Sequence, residues 1–159
     1  MKLWDDKLFF LGRVFLGLIF AYSGYTKLME PVENFRGAMA AYEIIPYFVI
    51  PLLAYVIPWI EFIFGIFLLL GYLSRVSALV LAGMSASFVL LILITKIVTG
   101  IVPADCGCFG EGSLIHLSAA QVFFMDILNT FIGVRLAFFK NPSLSLDSLL
   151  KRETGPGNR

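Results

Sequence analysis

The chain is poor in the residues that most chemistry uses. Its 159 residues include two cysteines and one histidine, and only 14% are charged. A soluble domain carries about 25% charged residues, so an ordinary soluble fold is excluded. No basic patch is interleaved with aromatics, which excludes nucleic acid as a partner. There is no internal repeat and no pair of broken helices, so a solute carrier is disfavoured. A net charge of +1 says nothing about acidic partners. No small-x-small cleavage site follows the first apolar run, and Asp5 and Asp6 stand where a signal peptide is basic. That run is therefore expected to be retained as a span.

What the chain has in excess is apolar sequence. Hydrophobic residues make up 59% of it, and the mean hydropathy is +0.89. Several runs exceed the roughly 18 residues that mark a membrane-span candidate. The expected fold is all-α, a polytopic membrane four-helix bundle whose surrounding partner is the lipid bilayer. Residues 1–139 form one membrane domain with spans at about 8–29, 52–72, 76–98 and 118–139. A polar tail, 140–159, is rich in Ser, Gly and Pro. Pro31 stops the first span. Phe35, Met39, Tyr42 and Ile45 then recur at helical spacing, which predicts a short amphipathic helix at the interface over Val32 to Tyr47. Pro58 predicts a kink in span two, Ser74-Arg75 a very tight turn, and Ser118 an N-cap for span four.

Four spans put both termini on one side. That side would hold Lys2, Lys7, Arg13, Arg75, Arg135, Lys140, Lys151, Arg152 and Arg159, against Lys27, Arg36 and Lys96 on the other. The excess predicts cytoplasmic termini in the inner, cytoplasmic membrane. The connection from Thr99 to Leu117 then faces the periplasm or its equivalent, a compartment that permits disulfides.

Both cysteines lie in that connection, within Asp105-Cys106-Gly107-Cys108-Phe109-Gly110. A disulfide between residues two apart closes a very small ring, and strain makes such a bond easier to reduce. Gly107 has the backbone freedom to let the sulfurs meet. A strained, exposed bridge is the labile, oxidising kind. Asp105 would raise a neighbouring thiol's pKa, Lys96 would lower it, and His116 could exchange a proton near neutral pH. The bland alternative is a static bridge, although so small a loop gains little from closure. A metal site is the other alternative, but C-x-C plus His116 lacks a fourth ligand and the usual zinc spacing, so no metal is expected.

Ionisable residues inside a membrane are costly and are functional candidates by default. Glu61 lies near the middle of span two, and Asp126 about two turns into span four with Asn129 and Thr130 on its face. Lys27 and Lys96 lie at the outer ends of spans one and three. Counting depth along each helix brings all four beneath the cysteine turn. Two readings stay open. Lys27–Glu61 and Lys96–Asp126 are structural pairs, or the four residues form a polar pocket for a quinone-like ring. Arg13 and Arg135, in the other half, are within snorkelling reach of the interface.

At this point the chain resembles the DoxX-like membrane proteins, and within them the methylamine-utilisation MauE type. The likeness rests on Arg13, Gly17, Phe20 and Ser23-Gly24-Tyr25-Thr26-Lys27-Leu28, on Pro58-Trp59-Ile60-Glu61 with Gly65 and Leu68-Leu69-Leu70-Gly71, and most specifically on Asp105 to Gly110. It covers roughly residues 8 to 139. It implies a bundle loosely like those of DsbB and VKOR, which pass electrons from thiols to quinone. It also implies an accessory role in maturing a periplasmic, disulfide-rich dehydrogenase subunit beside a thioredoxin-like partner. The chain departs from DoxX in having Met125-Asp126 where Arg-Asp is expected. It departs from DsbB in having one cysteine pair, which must meet both partner and acceptor.

The resulting expectation is a membrane thiol–disulfide redox protein. Cys106 and Cys108 exchange with a periplasmic thioredoxin-like or disulfide-containing client. Lys27, Glu61, Lys96 and Asp126 shape the site of an electron acceptor such as ubiquinone or menaquinone. The competing expectation is a non-catalytic assembly or anchor subunit with a structural cysteine pair.

Overall fold

The computed structural model describes residues 2–100 and 118–138. Among the described residues five helices follow in order: α1 Lys2–Met29, α2 Val32–Ala40, α3 Ile50–Leu70, α4 Ser74–Thr99 and α5 Ala119–Phe138. Four of them, all but α2, are long and apolar enough to cross a membrane. The protein is thus a multi-pass helical membrane bundle. The tail 140–159 lies outside the described residues.

The bundle is built with its polar residues inward. On α1 the buried stripe is Arg13, Leu16, Phe20, Ser23 and Lys27, while Leu8, Leu11, Leu18 and Met29 are exposed. On α4 the stripe is Ser74, Ser77, Ala78, Leu81, Ala82, Ser85, Ile92 and Thr95. A spacing of three and four keeps each set on one helical face. Small side chains on those faces let backbones approach, which drives helix association where lipid is as apolar as leucine.

Two helix pairs carry most of the packing, α1 with α3 and α4 with α5. In the first, a Cβ on Gly24 would stand 2.5 Å from the Phe62 backbone nitrogen, and one on Gly65 would stand 2.6 Å from that of Ala21. In the second, a Cβ on Gly133 would meet the Ala82 Cβ at 2.8 Å. An apolar cluster of Leu16, Phe20, Leu68, Ala78, Leu81 and Leu136 joins the pairs at one end. At the other end α2 folds over α3, burying Phe35 and Met39 against Ile50 and Ala54.

The connections differ in detail from expectation. The helix after Pro31 ends at Ala40, short of the predicted Tyr47, and the chain then runs through turns to Ile50. Pro46 disfavours helical backbone at Ile45, and Tyr42, 2% exposed, is turned into the protein. The tight turn expected at Ser74-Arg75 lies instead at residues 71–73, and Ser74 and Arg75 open α4. Gly71 takes φ 73, and the Gly71 and Tyr72 amides bond back to Leu68 and Phe67 carbonyls. That left-handed position closes α3 and suits glycine. α3 stays helical through Pro58, which is buried. Ser118 caps α5 reciprocally: its amide donates to Gln121 Oε1 at 3.0 Å, and the Gln121 amide reaches Ser118 Oγ at 3.4 Å.

Candidate functional site

Lys27, Glu61 and Asp126 meet in one place, at the end of the bundle that carries α2. The close α1–α3 crossing at Gly24 brings the Lys27 and Glu61 side chains face to face. Lys27 Nζ donates to Glu61 Oε1 at 2.9 Å and Oε2 at 2.8 Å, and to Ser23 Oγ at 3.1 Å. Ser23 Oγ in turn donates to Glu61 Oε2 at 3.1 Å. An ammonium has three donors and no acceptor, so Lys27 is fully satisfied. The two side chains are only 1% and 3% exposed. Phe35 of α2 lies over the ammonium, its ring centroid 4.8 Å from Nζ. A pair so deeply buried is tolerable only because its charges are matched and hydrogen-bonded.

Across from this pair, α5 presents Asp126, 7% exposed, and Asn129, 1% exposed. Ser85 of α4 and Asn129 flank the Asp126 carboxyl, and Lys27 and Glu61 act on it electrostatically. Neither Ser85 Oγ nor either polar atom of the Asn129 amide closes a hydrogen bond of ordinary length. Between the two halves lies a cavity of about 30 Å³, walled by Phe20, Ser23 and Lys27 of α1, Glu61 of α3, Phe88 of α4, and Val122, Met125, Asp126 and Asn129 of α5. One water needs roughly 10–15 Å³ of such space, so the cavity takes one or two waters.

The sequence brought forward four ionisable residues here, and the structure assembles three. Lys96 is exposed near the end of α4 and is not among the cavity walls. Of the two expected pairs, Lys27–Glu61 forms, and Asp126 has Ser85 and Asn129 beside it. Arg13, expected to snorkel, is 4% exposed inside the bundle, with its guanidinium 5.3 Å from the Phe10 ring centroid. Arg135 is exposed, as its reach to the interface requires. Ser85 and Asn129 are the site residues that sequence reasoning underweighted. The signal for Ser85 was present: small residues at three-and-four spacing run along α4 to it. Cys106, Cys108 and His116 lie outside the described residues. The chain leaves α4 at Gly100 and re-joins at Ser118, at the same end of the bundle as the cluster.

The sequence matches the family model described as methylamine utilisation protein MauE, over residues 5–139. The chain belongs to the MauE family. The match spans all four membrane helices of this MauE-family chain, the polar cluster and the Cys106-Gly107-Cys108 segment. No curated protein and no solved structure matched in the same comparisons.

Proposed function

We propose that this chain is an accessory membrane protein of methylamine utilisation that works by thiol–disulfide exchange. Cys106 and Cys108 face the periplasm from the inner membrane, with both termini cytoplasmic, and exchange with a thioredoxin-like or disulfide-containing client. When the pair is reduced, one of its thiolates attacks a client disulfide and the other resolves the mixed disulfide; when it is oxidised, a client thiolate attacks the Cys106–Cys108 bond and a second client thiolate resolves the mixed disulfide. The observation that carries this reading is the family match over residues 5–139, which contains the chain's only two cysteines.

Oxidising the Cys106–Cys108 dithiol releases two electrons and two protons, so an acceptor is needed. A membrane quinone is the class we propose. The cavity between Lys27 and Asp126, about 30 Å³, is smaller than a quinone ring, so a ring would sit there only with the surrounding side chains moved apart. Lys96, exposed at the end of α4, stays outside that pocket and acts on the thiols through its charge.

A second reading is a non-catalytic assembly subunit. The saturated Lys27–Glu61 pair favours it, because that arrangement holds two helices together and leaves no donor for chemistry. Thiol trapping in membranes, with and without added quinone, separates the two. Quinone-dependent reoxidation of the reduced Cys106–Cys108 pair is expected. A pair that ignores quinone and resists reduction, together with full accessory function in the Cys106→Ser, Cys108→Ser double variant, would overturn the redox reading.

A further inference from the structure

The cavity contains an unbalanced charge. Lys27 neutralises Glu61 at 2.8 Å, and Asp126 adds a second carboxyl to the same space. If every group is ionised, one negative charge is left over inside the apolar part of the bundle. A charge there costs several kcal/mol unless something positive joins it. The carboxyls are not equivalent. Glu61 accepts two bonds from Lys27 and one from Ser23. Asp126 faces neutral partners: Ser85 from α4 and Asn129 from its own helix, with Lys27 and Glu61 of α1 and α3 already engaged with each other.

A second observation points into the same space. Asn129 is 1% exposed and forms part of the cavity wall, yet neither polar atom of its amide closes a hydrogen bond of ordinary length, although the Asp126 carboxyl lies beside it. Ser85 Oγ, buried beside the same carboxyl, likewise closes no hydrogen bond of ordinary length. A buried amide left unsatisfied costs about 1–3 kcal/mol, so such groups are found bonded to water when there is room. There is room for one or two waters.

We propose that the cavity is a hydrated single-proton site in which Asp126 carries an exchangeable proton, water bridges it to Asn129, Ser85 flanks it, and Lys27 and Glu61 keep their hydrogen bonds to each other. The protonated form leaves the cavity neutral. On release the Asp126 O–H bond breaks, its electron pair stays on the carboxylate, and the proton passes to the cavity water. Asn129 and Ser85 then turn donors toward the carboxylate. Asp126 is the group that holds the proton, and Asn129 positions the water. The site stands on the cavity alone, whether or not Cys106 and Cys108 transfer electrons.

The test is infrared difference spectroscopy of the full chain in lipid nanodiscs, titrated over about pH 4 to 10 with H/D exchange. The expected result is one protonated-carboxyl C=O band that titrates away as pH rises, shifts in D₂O and is lost in Asp126→Asn. Asn129→Leu, which dries the wall, should keep that band, move its frequency and shift its titration midpoint. Since Glu61→Gln strands Lys27, the control is the double variant Lys27→Met, Glu61→Gln, which should keep the band. Circular dichroism establishes that each variant is folded. A band that survives in Asp126→Asn, a band lost only with Glu61, or no protonated carboxyl at any pH would overturn the proposal. So would a titration midpoint that moves when sodium is replaced by choline in the wild type, since the positive occupant would then be a metal cation.

Discussion

The α1–α3 and α4–α5 pairs are built alike and charged differently. Each is brought close by glycine, at Gly24 and Gly65 in one and at Gly133 in the other. Each carries one buried carboxylate at the level of the cavity. In α1–α3 that carboxylate is saturated by an ammonium and a hydroxyl. In α4–α5 the groups against it are neutral, Ser85 and the Asn129 amide, and Lys27 and Glu61 reach it only through their charge. The difference teaches that burial alone does not define a functional carboxylate in a membrane. Glu61 is spent on holding two helices together, and Asp126 is left available.

Breaking the saturated side should have the largest effect. Glu61→Gln leaves Lys27 buried without its counter-charge, which is expected to cost about 3–5 kcal/mol. Unfolding in micelles followed by circular dichroism would read it. Pairing that change with Lys27→Met should restore a large part of the loss, because the stranded charge is gone. Asp126→Asn should stay within about 1 kcal/mol of the wild type, since the carboxyl it replaces forms no ion pair and the amide can keep its hydrogen bonds. Equal costs for Glu61→Gln and Asp126→Asn would erase the distinction between the two halves.

The next largest effect lies in the helix spacing. Gly65→Val would drive a side chain into the Ala21 backbone, and overpacking of this kind costs about 1–3 kcal/mol. Because the crossing sets the distance between Lys27 and Glu61, the substitution should also loosen the ion pair and expose Lys27 to amine-modifying reagents. Gly83 has nothing within 4 Å of its hypothetical Cβ. Gly83→Ala should therefore stabilise α4 by about 0.5–1 kcal/mol, through chain entropy alone.

The fold was legible in the sequence because lipid imposes length and polarity together. Runs of about twenty apolar residues, cut by Pro31 and Gly71, leave few alternatives. The Lys27–Glu61 meeting was legible by counting depth, since both residue types are expensive in lipid and must find partners. Rotation about a helix axis was harder to read. Lys96 and Lys27 each stand within a turn of a helix end, yet one faces out and the other in. Depth is the same for both, and only the face decides. The small-residue stripe on α4, from Ser74 through Ser85 to Thr95, defines the inward face, and Lys96 lies one position beyond it. The burial of Arg13 follows the same rule, since it extends the α1 stripe of Leu16, Phe20, Ser23 and Lys27 by one step. The end of α2 escaped because Tyr42 kept the helical spacing while docking through a turn, with its amide bonded to the Met39 carbonyl three residues back.

The smallest expected effects compare the two lysines directly. Lys96→Gln removes an exposed charge and should change stability by no more than about 0.5 kcal/mol. Phe35→Ala acts on Lys27 from outside the ion pair: it uncovers the ammonium now 4.8 Å beneath the ring. The lost cation–π contact is worth about 0.5–2 kcal/mol, to which the truncated side chain adds its own lost packing. Amine labelling separates the two positions more sharply than stability does. Lys96 should label in the wild type and Lys27 should not, and Phe35→Ala should raise the labelling of Lys27 without changing that of Lys96. Rapid labelling of Lys27 in the wild type would mean that α2 does not close that end of the bundle, and the contrast between a sealed α1–α3 half and an open α4–α5 half would lose its basis.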